Sequence, residues 1–291
     1  MSEPEGMKVR WDPDQYRRFA SHRLRPALDL AARLEGLEPR TVYDLGCGTG
    51  EITRILAQRW PTARVRGIDS SEAMLDKARA AATDDGEGLT FELGDLASWT
   101  PAEPADLLFS NAAYHWIPNH RAVFPHLLDA LAPGGAIAVQ MPMSWDLPSH
   151  RAMREVLEFG RSGGTPPSVV STTLSGVDVG AEDRGFGRRA LREAMGRKPL
   201  LDTAEYYDLL RTRATEVDIW ETEYLQSLEG EDAVLEWVSG TGLRPILEGL
   251  TGDERDAFLE RYRGRLRELY PRRADGRTLY PFRRLFLYAR A

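Results

Sequence analysis

A short apolar run, Thr41 to Leu45, passes directly into Asp44-Leu45-Gly46-Cys47-Gly48-Thr49-Gly50 and then into a segment with Ile52, Ile55 and Leu56 on one helical face. Three glycines at alternate positions between a strand and a helix narrow the choice of fold sharply. They permit positive φ and close backbone approach, and they leave loop N–H groups available to an anion or carboxylate. A turn of this kind at the C-terminal end of the first strand is where doubly wound α/β sheets bind ligands. The unit then repeats: Val65 to Ile68, Leu89 to Leu93, Ala105 to Ser110 and Ala136 to Met141 read as strands. Helical patterns at Glu51 to Trp60, Ser71 to Ala82 and His120 to Leu131 separate them, the last closed by Pro133-Gly134-Gly135, and an amphipathic helix, Pro26 to Leu37, comes first.

Beyond Pro142 the pattern turns helical, at Arg151 to Phe159, Thr203 to Thr212, Asp232 to Val238 and Gly252 to Leu269. Two late segments, Glu216 to Leu228 and Arg283 to Ala291, alternate and are aromatic, as an antiparallel edge on a parallel sheet requires. The expected fold is α/β: a doubly wound, Rossmann-like, seven-stranded and mainly parallel sheet with an inserted helical cap. The expected domains are 1–141 as cofactor-binding core, 142–215 and 229–282 as cap, and 216–228 with 283–291 as the last two strands. From Ser162 to Gly180, 13 of 19 residues are Gly, Ser, Thr or Pro, so this stretch is expected to be a lid or a disordered insertion, within a flexible insertion of the cap at 162–195.

Composition excludes several classes. With 42% hydrophobic and 29% charged residues the chain is neither fibrous nor largely disordered, and it contains no apolar run long enough to span a bilayer. The charged start, MSEPEGMKVR, is unlike a signal peptide, so a cytoplasmic protein is expected. Cys47 is the sole cysteine and the five histidines lack metal-ligand spacing, so neither disulfide nor metal is expected. A net charge of −7 argues against nucleic acid as partner. A monomer is the simplest oligomeric expectation.

Asp69 ends the second strand 23 residues after Gly46, where a carboxylate accepts hydrogen bonds from both hydroxyls of a ribose; a helix N-cap is its structural alternative. Asp95 follows the third strand, where a carboxylate or a backbone pair can read an adenine amino group. Asp44-Leu45-Gly46-Cys47-Gly48-Thr49-Gly50, Gly67-Ile68-Asp69-Ser70-Ser71 and Gly94-Asp95-Leu96 resemble the first three motifs of class I S-adenosylmethionine-dependent methyltransferases, over roughly residues 40–141. Dinucleotide enzymes favour G-x-G-x-x-G instead. The resemblance implies S-adenosylmethionine as cofactor, S-adenosylhomocysteine as product, and Asp44, Gly46, Cys47, Gly48, Gly50, Asp69, Ser70, Asp95, Leu96 and Asn111 as cofactor-binding residues. Cys47 counts through its backbone, with no cation nearby to make its thiol a nucleophile.

A narrower resemblance covers nearly the whole chain. Trp11-Asp12-Pro13, Tyr16, Phe19, Arg23, Ser110-Asn111-Ala112-Ala113, Trp116, Gln140-Met141-Pro142, Trp145, His150, Met153-Arg154-Glu155, Thr241-Gly242-Leu243-Arg244-Pro245 and Arg284-Leu285-Phe286 are similar to the trans-aconitate methyltransferase family. That implies a methyl ester formed on a small polycarboxylic acid. A carboxylate is ionised at neutral pH, so no catalytic base is assigned. Arg244, in an expected rigid turn, is the first candidate for holding a substrate carboxylate, with Trp116, Trp145 and His150 as pocket walls or hydrogen-bond partners. Of Arg283 and Arg284, which alternate on a strand, at most one faces the cap. Two alternatives stay open: a methyltransferase acting on a hydroxyl or amine, for which His115 or His150 would serve as base, and a non-catalytic cofactor-binding protein.

Overall fold

The computed structural model of the chain describes residues 24–82, 88–160, 185–240 and 242–291. Trp11 to Pro13, Tyr16, Phe19, Arg23, Thr241 and the expected lid or insertion, Ser162 to Gly180, lie outside them. The elements are α1 (Arg25–Ala32), β1 (Thr41–Leu45), α2 (Glu51–Arg59), β2 (Arg64–Asp69), α3 (Glu72–Ala81), β3 (Leu89–Leu93), β4 (Ala105–Asn111), a 3-10 turn (Tyr114–Trp116), α4 (His120–Asp129) and β5 (Leu131–Pro142). They continue with α5 (Pro148–Phe159), α6 (Arg189–Met195), α7 (Thr203–Arg211), β6 (Glu216–Leu228), α8 (Ala233–Ser239), α9 (Arg244–Gly249), α10 (Gly252–Leu269) and β7 (Thr278–Arg290).

The seven strands form one sheet in the order β3-β2-β1-β4-β5-β7-β6. β1 through β5 pair in parallel, and β7 runs antiparallel to β5 from Ala136↔Arg290 to Pro142↔Arg284. Every residue of β1 is buried, as expected of a central strand covered on both faces. The order reverses between β1 and β4, which sends the loops after these two strands in opposite directions and opens a crevice at their C-terminal ends.

The chain divides into two compact units: Met1–Pro142 with Pro199–Thr222 and Arg284–Ala291, and Met143–Lys198 with Glu223–Arg283. In the first, α7 packs on α4 through Tyr206, whose ring meets Phe124 edge-on at 5.3 Å. His120 is satisfied in the same core, its Nε2 donating to the Tyr114 carbonyl at 2.8 Å and its Nδ1 accepting from the Tyr206 hydroxyl at 2.5 Å. Helix α7, expected in the cap, therefore belongs with the sheet. The second unit has its own core, including Met153, Val238, Leu243, Ile246, Phe258, Tyr262 and Tyr280.

Other expectations change in detail. Pro133-Gly134-Gly135 is not a turn before β5 but an irregularity within it, where the register jumps from Ala105↔Leu131 to Leu107↔Ala136. Strand β7 starts five residues before Arg283, with Pro281 inside it. Part of the expected insertion is ordered as α6, and Arg244 opens helix α9 instead of lying in a turn.

Candidate functional site

The glycine turn is held by backbone hydrogen bonds. The N–H groups of Gly46 and Cys47 both donate to the Ile68 carbonyl at 2.7 and 3.0 Å, locking the end of β1 against β2. All three glycines have positive φ, between 56° and 80°, which side chains resist. Their roles differ. A Cβ on Gly46 would lie 2.2 Å from the Ala113 Cβ, and one on Gly50 would meet the Phe91 ring at 2.8 Å, so these two glycines permit packing. A Cβ on Gly48 would meet nothing within 4 Å, so this glycine faces open space at the centre of the loop.

Asp69 fastens the mouth of that loop. Its Oδ2 accepts from the Gly48 N–H and its Oδ1 from the Ser71 N–H, each at 2.9 Å. Ser71, at the N-cap of α3, makes no side-chain capping bond, so Asp69 ties the loop and the helix start itself. The carboxylate is only half-buried, and each oxygen keeps acceptor capacity. Ser70 is exposed beside it. Farther along the same edge Asp95 is exposed and accepts from the Ala97 N–H at 3.0 Å, and Leu96 is buried. Leu93, at the end of β3, is a large apolar side chain left 62% exposed. It was not anticipated; an outward apolar residue at a strand's ligand-binding end was the available signal.

Asp44 is buried, and its Oδ2 accepts from the Thr53 hydroxyl at 2.7 Å. Burial raises its pKa to about 7, the Thr53 hydrogen bond opposes the shift, and the charge of Asp69 adds to it. The Cys47 thiol is pushed far up, first by burial and then by Asp44 and Asp69, so it is no nucleophile. Asn111 ends β4 half-buried, and its Oδ1 is enclosed without a hydrogen-bond partner among the described residues. Among those residues no cluster of ligands suits a metal ion.

These features fit an adenosyl amino acid. Open space above Gly48 can admit the amino-acid end, the Asp69 carboxylate can receive ribose hydroxyls, and the exposed Leu93 offers an apolar surface for a flat base. A methyltransferase-domain profile matches residues 42–135. Over 286 residues the chain is 45% identical to a trans-aconitate 2-methyltransferase of Streptomyces coelicolor, covering 96% of this chain and 86% of that protein. The chain belongs to the trans-aconitate 2-methyltransferase family. An Azoarcus member is 43% identical over 279 residues, covering 96% of this chain and 98% of its own. A phosphoethanolamine N-methyltransferase of Haemonchus contortus, solved with S-adenosylhomocysteine, shares the fold with a TM-score of 0.51 at 14% identity, over 96% of this chain and 56% of that one. The protein is thus a methyltransferase that uses S-adenosylmethionine, and its substrate is a small molecule.

The four expected substrate residues are less uniform. Trp116 is 54% exposed on the 3-10 turn, its ring 4.6 Å from that of His115. In the second unit, Trp145 carries the Arg154 guanidinium 3.7 Å above its ring and accepts from it at the backbone carbonyl at 2.8 Å. His150 is packed closely enough that a Cβ on Gly242 would lie 2.7 Å from its Nε2. Burial, then the Arg154 charge, lowers its pKa to about 4. Arg244 departs from expectation: its side chain is 69% exposed and pairs with Glu248 one helical turn on, at 2.7 Å, so it is no desolvated carboxylate anchor. Other arginines late in the chain likewise form surface pairs, such as Arg267 with Asp232 at 2.8 Å and Arg277 with Glu229 at 2.5 Å.

Two buried polar residues on the sheet were not singled out from the sequence. Arg284 is buried at 5% exposure and donates to the Gln140 Oε1 at 3.3 Å, whereas Arg283 faces solvent. Both Gln140 and Arg284 lie in motifs quoted above; what the sequence lacks is the register that joins them.

Proposed function

We propose that the protein transfers the methyl group of S-adenosylmethionine to a carboxylate of trans-aconitate or a closely related polycarboxylic acid, forming a methyl ester. The observation that carries this reading is the likeness over 96% of the chain to proteins named for that activity. When bound, S-adenosylmethionine supplies a methyl group on a sulfonium sulfur: the new O–C bond forms as the S–C bond breaks, the electron pair stays on sulfur, and no proton moves.

The residues have correspondingly simple tasks. Gly46, Gly48 and Gly50 shape the loop that receives the amino-acid end, Asp69 fixes the ribose, and Asp95 with Leu93 and Leu96 lines the base. Asn111, one strand away, borders the place where donor and acceptor meet. Orientation and exclusion of water then supply the acceleration, since an ionised carboxylate needs no base. Of the two histidines that a hydroxyl or amine acceptor would need as base, His150 is a poor one, since burial and the Arg154 charge lower its pKa to about 4. A cytoplasmic enzyme acting on small acids and not on nucleic acid is part of the same proposal, and the net charge of −7 supports the latter point.

The test incubates purified protein with methyl-labelled cofactor and a panel of di- and tricarboxylic acids. The expected product is a methyl ester, greatest with trans-aconitate, that releases labelled methanol in mild alkali. An alkali-stable ether or N-methyl product, or no transfer to any acid, contradicts the proposal.

A further inference from the structure

Beyond the cofactor loops, the C-terminal edge of the sheet carries a second polar group built from side chains. Asn111 and Gln140 are register partners on β4 and β5, Gln140 faces Phe286 on β7, and Pro142 faces Arg284. Residues paired in register share a face, as do residues two apart along a strand. Asn111, Gln140 and Arg284 therefore stand on one face of the sheet, at the end where the crevice opens. Phe286 continues that face as an apolar wall, its ring stacked on Trp220 at 4.8 Å.

The chemistry of this group is specific. Gln140 is fully buried, its Oε1 receives the Arg284 guanidinium, and its Nε2 has no hydrogen-bond partner among the described residues. Buried amide donors are nearly always paired, so an enclosed one beside a guanidinium indicates an acceptor still to come. The Asn111 Oδ1 is also enclosed without a partner, and a half-turn of its amide would present the NH2 instead. Arginine guanidinium groups carry a positive charge at neutral pH. A planar fork with a neighbouring amide donor matches the two oxygens of a carboxylate.

We infer that Arg284 and Gln140 form the anchor for a non-reacting carboxylate of the substrate, which turns another carboxylate of the same molecule toward the methyl donor. The inference rests on the polycarboxylate reading above and assigns to Arg284 the role expected of Arg244.

The test measures trans-aconitate binding to protein saturated with S-adenosylhomocysteine, by calorimetry, together with kcat/KM for methyl transfer. Arg284→Gln is expected to lower both by about 100-fold, and Arg284→Lys, which keeps the charge but loses the fork, by about 10-fold. Gln140→Leu is expected to cost about 10-fold. S-adenosylhomocysteine affinity should stay within about twofold in all three. For an analogue lacking the anchored carboxylate, wild type and Arg284→Gln should react equally slowly. If Arg284→Gln fails to fold, Gln140→Leu and Arg284→Lys carry the same test.

Normal acid binding and turnover in folded variants would overturn the anchor while leaving the reaction intact. Acid and S-adenosylhomocysteine affinities falling together would also overturn it, showing a structural role. Arg284-dependent binding of tricarboxylates without methyl transfer would instead overturn the functional reading and leave the anchor standing.

Discussion

On the proposed assignment, the two ends of the crevice edge solve recognition differently. On the β1, β2 and β3 side the work of shaping the site is done by main chain: three glycines at positive φ, with the Gly46, Cys47 and Gly48 N–H groups already donating to Ile68 and Asp69 and so not available to an anion, which leaves the Asp69 carboxylate to meet a ligand. On the β4, β5 and β7 side it is done by side chains, with Asn111, Gln140 and Arg284 brought onto one face by strand register. A backbone site tolerates little change in its glycines. A side-chain site is exchanged one residue at a time, which suits the end where relatives of this fold must choose different substrates.

The largest effect should come from breaking the main-chain side. Gly46→Ala places a methyl group 2.2 Å from the Ala113 Cβ at a φ of 80°. It is expected to cost about 3 kcal/mol or more of stability and to abolish S-adenosylhomocysteine binding, read by thermal melts and calorimetry. Gly48→Ala meets open space instead, so it should retain the fold, at a backbone cost of about 1–2 kcal/mol, while losing cofactor affinity through the occupied space. Equal loss of stability in both variants would erase the distinction between packing and ligand-facing glycines.

A middle-sized effect probes the charge beneath the loop. The pKa of Asp44 in the folded protein, about 7, lies above its ordinary value of 3.8. Between these values the folded state holds a proton that the unfolded chain has released, so the contribution of Asp44 to stability is fully present below about pH 4 and is lost as pH rises through 7. Asp44→Asn, which keeps an acceptor for Thr53, should remove this loss, giving a smaller fall in Tm between pH 5 and pH 8 than wild type. An identical fall would place the titration elsewhere.

The smallest effect is expected at Arg244. Its pair with Glu248 is exposed, and such helical pairs contribute about 0.3–0.5 kcal/mol. Arg244→Ala should shift stability by no more than that and leave kcat/KM for trans-aconitate unchanged. A loss of tenfold or more would return the anchor to Arg244.

Legibility in the sequence follows the same division. Strands β1 to β4 and the glycine loop between β1 and α2 were readable because local patterning and glycine spacing carry their meaning within some 30 residues. Helix α6 was hidden in an arginine-rich stretch with no buried residue of its own. Helix α9, six residues long and opened by Arg244-Pro245, read as a turn. Arg284 was named but not chosen, because alternation shows that Arg283 and Arg284 face opposite ways without showing which is buried. That depends on pairing Pro142 with Arg284, a contact between residues 142 apart that no local pattern encodes.

Calorimetric titration of S-adenosylhomocysteine into wild type, Asp69→Ala and Arg284→Gln tests the division most directly. Asp69→Ala should weaken binding by about 1.5–3 kcal/mol, since two ribose hydroxyls lose a charged acceptor, whereas Arg284→Gln should leave it within about twofold. Unchanged affinity in folded Asp69→Ala, or an equal loss in both variants, would contradict the account.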